Sequence, residues 1–345
     1  MRFMRVISFA LPALLISAAT PVPAQSNWSV ANTFHIGGEG AWDYVTVEAQ
    51  TNRVFVTRTT HTQAIDGATG KVVGDIPGQV RSHGTALVPA ANRGFITDGG
   101  GSGAILVFDL STYNVLGKLA TMPDSDGIIY DEAMNLVLAV SGDGNKLMTF
   151  KPDIDPVNGK IDPPIELGGA PEFLAAGDDG NAYINLEDKD VVARVDLKSR
   201  QVTARWPVAP GGHPVGMAID RTRHLLFIGC RNPQKMIVMS TGTGKVLADL
   251  PIGAGVDATA TDGKQAFASC GDGSLTVVSE SDGKFAVEQV VKTPAGARTM
   301  GLDSATQTIY LPTAELEAPA PGAASRRPRP KSDTFMMVEV TRSAR

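Results

Sequence analysis

Phe55-Val56-Thr57-Arg58 opens a pattern that returns along the whole chain. It recurs as Phe95-Ile96-Thr97-Asp98, Val137-Leu138-Ala139-Val140, Tyr183-Ile184-Asn185-Leu186, Phe227-Ile228-Gly229-Cys230, Phe267-Ala268-Ser269-Cys270 and Tyr310-Leu311-Pro312-Thr313. The steps between first residues are 40, 42, 46, 44, 40 and 43, too regular a ladder for chance. A large, β-prone residue followed by small or branched ones suits a buried strand.

Each copy sits in a similar frame. An apolar run precedes it, as in Asp43-Tyr44-Val45-Thr46-Val47 or Pro214-Val215-Gly216-Met217-Ala218-Ile219-Asp220. A third run follows, such as Ile105-Leu106-Val107-Phe108, and then a Gly-Lys turn in several copies (Gly70-Lys71, Gly244-Lys245, Gly283-Lys284) before a fourth. Four short strands per ~43 residues make one propeller blade, so the spacing predicts an all-β, seven-bladed β-propeller. The seventh copy is short of one strand, since only residues 334–341 follow its long loop. Residues 28–36 offer a spare strand, and pairing the two would join the chain's ends in the last blade and leave no open edge. The expected organisation is one propeller over residues 25–345, with a Pro/Ala/Arg-rich loop at 314–332 in blade seven.

Composition agrees with this reading. The chain has 345 residues, 43% hydrophobic and 19% charged, with 37 glycines and two cysteines. It is too apolar for a disordered chain and too poor in cysteine for a disulfide scaffold. A net charge of −5 argues against double-stranded nucleic acid as a partner, because phosphate contacts require a basic surface. Residues 1–24 carry Arg2 and Arg5, an uncharged apolar run, and Val22-Pro23-Ala24. These are the marks of a secretory leader, so a periplasmic or secreted, monomeric protein with no integral membrane segment after cleavage is expected.

The tetrapeptide and several longer stretches resemble the YncE-like, YVTN-repeat family of seven-bladed propellers. Those stretches include Trp42-Asp43-Tyr44, Arg58-Thr59-Thr60-His61, Gly255-Val256-Asp257-Ala258, Ala297-Arg298-Thr299-Met300 and Ile309-Tyr310-Leu311-Pro312-Thr313-Ala314-Glu315. They are similar to an exported bacterial subgroup. No copy carries Asn at the fourth tetrapeptide position. The resemblance implies the fold and names no ligand.

In a propeller, the start of each first strand and the end of each second strand open on one face. Those positions predict a polar funnel. Strand starts supply Trp42, Asp43, Tyr44, His83, Asp126, Glu172, His213, Asp257 and Arg298; strand ends supply Arg58, His61, Glu187, Arg231 and Glu315. The first expectation is a protein that binds a small molecule or a periplasmic protein partner through this funnel, with no cofactor. The second is an enzyme of the lactonase, lyase or isomerase kind, with His83 or His213 as general base. The third is a protein that binds a divalent or soft metal through His61, His83, His213 or Cys230. Cys230 and Cys270 hold matching positions in neighbouring blades, where side chains diverge, so two free thiols are expected. The basic run Arg326, Arg327, Arg329 and Lys331 reads as a solvated excursion.

Overall fold

The computed structural model describes residues 28–318 and 328–343. The expected leader therefore lies outside the described residues, as do Arg326 and Arg327.

Seven four-stranded antiparallel sheets follow one another along the described chain. The first strands are Val45–Glu48, Ser82–Val88, Ser125–Asp131, Pro171–Ala176, Pro214–Asp220, Val256–Thr261 and Gly301–Asp303. The second strands, which carry the repeated tetrapeptide, are Arg53–Thr57, Arg93–Asp98, Leu136–Ser141, Asn181–Leu186, Leu225–Arg231, Gln265–Cys270 and Thr308–Thr313. This is the seven-bladed propeller that the period predicts. Helix among the described residues amounts to one 3-10 turn, Pro89–Ala91. None is long and apolar enough to cross a membrane.

The leading residue of every tetrapeptide is at most 2% exposed: Phe55, Phe95, Val137, Tyr183, Phe227, Phe267 and Tyr310. The aromatic ones act as wedges between blades. Phe55 meets Phe108 of blade two at 6.0 Å between ring centroids, and Phe95 meets Phe150 of blade three at 5.3 Å. Burying a side chain of this size contributes ~1.5–3 kcal/mol, and an aromatic pair adds ~0.5–1.5 kcal/mol. The repeat therefore marks the joint between blades. The fourth strands face solvent and alternate accordingly, as Val115–Ala120 does.

The last sheet has the order Trp28–His35, Met336–Arg342, Thr308–Thr313, Gly301–Asp303. The spare N-terminal strand thus completes blade seven, with Trp28 opposite Arg342 and His35 opposite Met336. Trp28 anchors it. Its indole is 1% exposed, stands edge-on to Phe267 at 4.9 Å, and donates from Nε1 to Gln265 Oε1 at 2.9 Å. Gly70, in the first Gly-Lys turn, has φ +68°, and a Cβ there would lie 2.2 Å from the Phe34 ring of the closing strand. Only glycine fits both conditions.

Candidate functional site

The β-ladders fix which residue of each blade reaches the channel mouth. In blades two to six the residue opening the first strand pairs with the end of the second, as Ser82 with Asp98, Ser125 with Ser141 and Pro214 with Cys230. The register then slips, between Ser82 and Thr85, Ser125 and Ile128, Pro171 and Leu174, Pro214 and Met217, and Val256 and Ala258. Each slip is a bulge, a device that re-aims a side chain. The equivalent residues next to the opening pair are His83, Asp126, Glu172, Val215 and Asp257, with Asp43 and Arg298 corresponding in blades one and seven. These seven positions form a ring.

The repeat also holds the ring in place. In four blades the third tetrapeptide residue reaches into the following blade and binds the carbonyl of that blade's ring residue, whereas Ala139 and Gly229 have no side-chain group to do so. Thr57 Oγ1 donates to His83 O at 2.7 Å, Thr97 Oγ1 to Asp126 O at 2.5 Å, and Ser269 Oγ to Arg298 O at 2.5 Å. Asn185 Nδ2 donates to Val215 O at 2.7 Å. Blade seven has Pro312 at this position, and Thr299 Oγ1 supplies the bond to Asp43 O instead, at 2.9 Å. Sequence reasoning missed this role, although the recurring Thr, Asn or Ser was its visible signal.

Beneath the ring the channel narrows. Tyr44 of blade one and Phe173 of blade four meet across it at 4.9 Å, beside a small cavity of about 60 Å3. Burial, reinforced by Asp126, Glu172, Asp43 and Asp257, pushes the Tyr44 phenol well above its ordinary range.

One side of the ring is cationic. Arg298 Nε donates to Asp257 Oδ2 at 2.5 Å, and Arg231 Nη2 pairs with Asp257 Oδ1. Arg231 arises from the end of the second strand of blade five and reaches the ring where Val215 offers no polar group. It also donates from Nε to Val256 O at 3.1 Å and lies 3.7 Å from Glu172 Oε1. Burial, together with Asp126, Glu187 and Asp257, pushes the Glu172 carboxyl up to about 9, against which Arg231 pulls. Burial alone would lower the Arg298 guanidinium, but Asp257 and Asp43 more than offset that. With Glu172 protonated at neutral pH, two guanidiniums face one carboxylate.

Over this side lies a cleft of about 610 Å3. Trp42, Leu316, Pro328 and Pro330 form apolar walls, Gly255, Gly271 and Gly296 leave its floor open, and Arg231 and Arg298 enter it. Trp42 is 4% exposed, and its indole N–H is sealed without a hydrogen-bond partner.

The other side of the ring is anionic. His83 Nδ1 stands 2.6 Å from Asp43 Oδ2 and 3.4 Å from Asp126 Oδ1. Burial first, then Asp43, Asp124 and Asp257, raise the Asp126 carboxyl well above the usual range. His83 Nε2 is sealed from solvent and has no hydrogen-bond partner. A Cβ on Gly99 would come within 3.0 Å of it.

Several residues predicted for the funnel are placed elsewhere. Arg58 is a correction. It is fully buried, stacks on the Phe335 ring with 3.6 Å from Cζ to centroid, and donates to the carbonyls of Glu39 and Ala41 and to Gln63 Oε1. Burial lowers its guanidinium to about 10. Its donors are spent on the loop that carries the chain from the closing strand into blade one. His61 is another. It opens the third strand of blade one and lies 3.8 Å from Asp75 on the fourth, so it does not join His83.

His213 precedes the ring position of blade five by two residues, in a left-handed turn at φ +52°. Its Nε2 is 3.1 Å from Glu187 Oε2, leaving both on the rim. Glu315 pairs with Lys331 at 2.9 Å across the blade-seven loop, near Arg329 and outside the ring. Cys230 and Cys270 are free and buried, and burial pushes both thiols up to about 12, so neither offers a ready thiolate.

No protein-family model matches the sequence, and no curated protein matches it. Among solved structures the chain is similar to the RRP9 WD40 repeats, with TM-score 0.74, 10% identity, and coverage of 92% of this chain and 99% of that one. It is similar to a chain of the mitotic checkpoint complex, with TM-score 0.73, 13% identity, and 98% of each chain covered. A chain of Kuenenia stuttgartiensis hydrazine synthase aligns at TM-score 0.69 and 14% identity, over 80% of this chain and 94% of that one. At such identities the likeness carries the propeller fold and no activity.

Proposed function

We propose that this propeller binds a small organic anion in the cleft above Trp42, Arg231 and Arg298. The observation that carries the reading is the cleft of about 610 Å3 into which two guanidiniums enter while sharing one carboxylate, Asp257. Sites for small molecules are concave, mostly apolar and provided with few convergent polar groups. A guanidinium fork recognises carboxylate or phosphate. The apolar walls suit a hydrocarbon or ring body on the anion.

The YVTN-repeat resemblance, an exported monomer and a leader over residues 1–24 belong to the same proposal; they rest on the repeat and the N-terminal pattern. A histidine general base has less support. His83 Nδ1 is held by Asp43 and its Nε2 is sealed, while His213 pairs with Glu187 on the rim.

The test is a thermal-shift screen of small carboxylates and phosphate monoesters, followed by calorimetry on each hit. Gly271→Leu is the decisive variant. A Cβ there meets nothing nearer than 3.4 Å, so the longer side chain fills the cleft rather than straining the fold. Binding that weakens at least tenfold in Gly271→Leu and in Arg231→Gln supports the reading. Absence of any anion hit, or hits indifferent to both variants, overturns it.

A further inference from the structure

The anionic side of the ring holds a cluster that the cleft does not use. One ligand atom each from Asp43, His83 and Asp126 lies within 4.8 Å of the others, from three consecutive blades. The His83 side chain is nine-tenths buried, and Asp126 Oδ1 is sealed from solvent without a hydrogen-bond partner. The nearby Arg81 is turned to Asp124, at 3.0 Å. Two carboxylates therefore converge on one imidazole, and a buried oxygen is left unsatisfied, an arrangement that is costly unless something completes it.

We propose that Asp43, His83 and Asp126 form a site for one divalent transition cation, Zn2+ or Mn2+. At metal–ligand distances of about 2.0–2.2 Å, neighbouring ligand atoms on one ion sit roughly 3.0–3.4 Å apart. Of the separations around His83 Nδ1, 3.4 Å lies at the upper end of that range and 2.6 Å falls short of it, so the Asp43 carboxylate would draw back by a few tenths of an ångström as an ion entered. One imidazole nitrogen with two carboxylate oxygens suits a borderline cation, whereas Ca2+ takes six to eight oxygens. The backbones of His83 and Asp126 are already pinned by the hydroxyls of Thr57 and Thr97, as ligand supports in metal sites are. Three protein ligands leave a coordination position open. Binding at Nδ1 moves the single imidazole proton to Nε2, so the N–metal bond replaces the hydrogen bond to Asp43 while the ring stays neutral.

The experiment uses the full chain, stripped with a chelator, dialysed, and titrated by calorimetry with ZnCl2 and separately with MnCl2. One cation per chain is expected for at least one of the two. Asp126→Asn and His83→Gln each weaken binding at least tenfold, while His61→Ala leaves it unchanged. Asp126→Asn relieves repulsion in the metal-free protein, so its circular dichroism and melting remain at least as favourable as wild type, and lost binding there is not lost folding. If neither cation binds at one per chain, or the change in Asp126→Asn is less than tenfold, the site is wrong. Gly271→Leu keeps the cation titration, so failure of this site and failure of the anion cleft are separable.

Discussion

Asp257 and Asp126 occupy the same ring position three blades apart, yet they meet opposite surroundings. Asp257 lies between two guanidiniums and completes them. Asp126 faces Asp43 and Asp124 with only His83 within reach, and its carboxyl is pushed toward the neutral form. Blade architecture is common to both, so the contrast comes from the ring residues and from what the second strands lend. Blade five lends Arg231; the strand ends of blades one to three lend the ring no cation, since Arg58 is turned away and buried. One scaffold thus presents a cationic half and an anionic half at a single mouth.

The sharpest way to break that comparison is the same substitution at both positions. Asp257→Asn leaves two half-buried guanidiniums without their carboxylate and is expected to cost ~1.5–3 kcal/mol, measured by urea unfolding. Asp126→Asn is expected to do the reverse and raise stability, because it replaces a carboxyl whose ionisation is opposed by burial and by neighbouring like charges. A loss of stability in Asp126→Asn comparable to that in Asp257→Asn would erase the distinction between the halves.

Glu172 sits where the halves meet, and it supplies a pH test. Its folded value of about 9 stands above the ordinary 4.5 of an unfolded glutamate. Between those values the folded chain holds more protons than the unfolded one, so stability is fully present below about pH 4.5 and declines as pH rises toward 9. Asp126 adds to the same slope. A decline of about 5 kcal/mol from pH 5 to pH 9 is expected from Glu172, beyond whatever acid unfolding does below that window. Glu172→Gln should flatten the alkaline limb in a melting-temperature series, and an unchanged slope would place the titration elsewhere.

The smallest expected effect concerns the support beneath the anionic half. Thr97→Val removes the donor to the Asp126 carbonyl and should cost ~1 kcal/mol, with a shift of the Asp126 and His83 resonances by NMR. Thr57→Val should behave likewise at His83. If either variant is neutral and leaves the ring spectra unmoved, the hydroxyls do not hold the ring.

The fold was legible because its decisive constraint is local and repeated. A large apolar residue must be buried at each joint, and seven of them (six aromatic, with Val137 in blade three) at nearly equal steps admit few architectures. The ring was legible where the strand start lay at the usual distance before the tetrapeptide, which brought out Asp43, His83, Asp126, Glu172, Asp257 and Arg298. In blade five the conspicuous His213 stood two residues early, and the apolar Val215 held the position. Counting back from Phe227 would have shown this, but bulges vary that interval between blades and blur the count. Arg58 looks like any other strand-end cation; that its donors face an incoming loop and the Phe335 ring follows only from contacts across the chain. The hydroxyl clamps were hidden for a similar reason, since each acts on a residue roughly thirty positions further on.

The closing strand bears on how the molecule yields under load. Trp28 is paired with Arg342, so the two described ends of the chain leave blade seven from the same end of one antiparallel ladder. A force pulling those ends apart would load the ladder one pair at a time and peel it from the Trp28 end, instead of shearing all its bonds together. The ring should therefore open at low tension along this one seam, with the Trp28 indole as its first point of resistance. The same proximity makes the ends easy to join with a short linker, moving the opening to any other blade boundary.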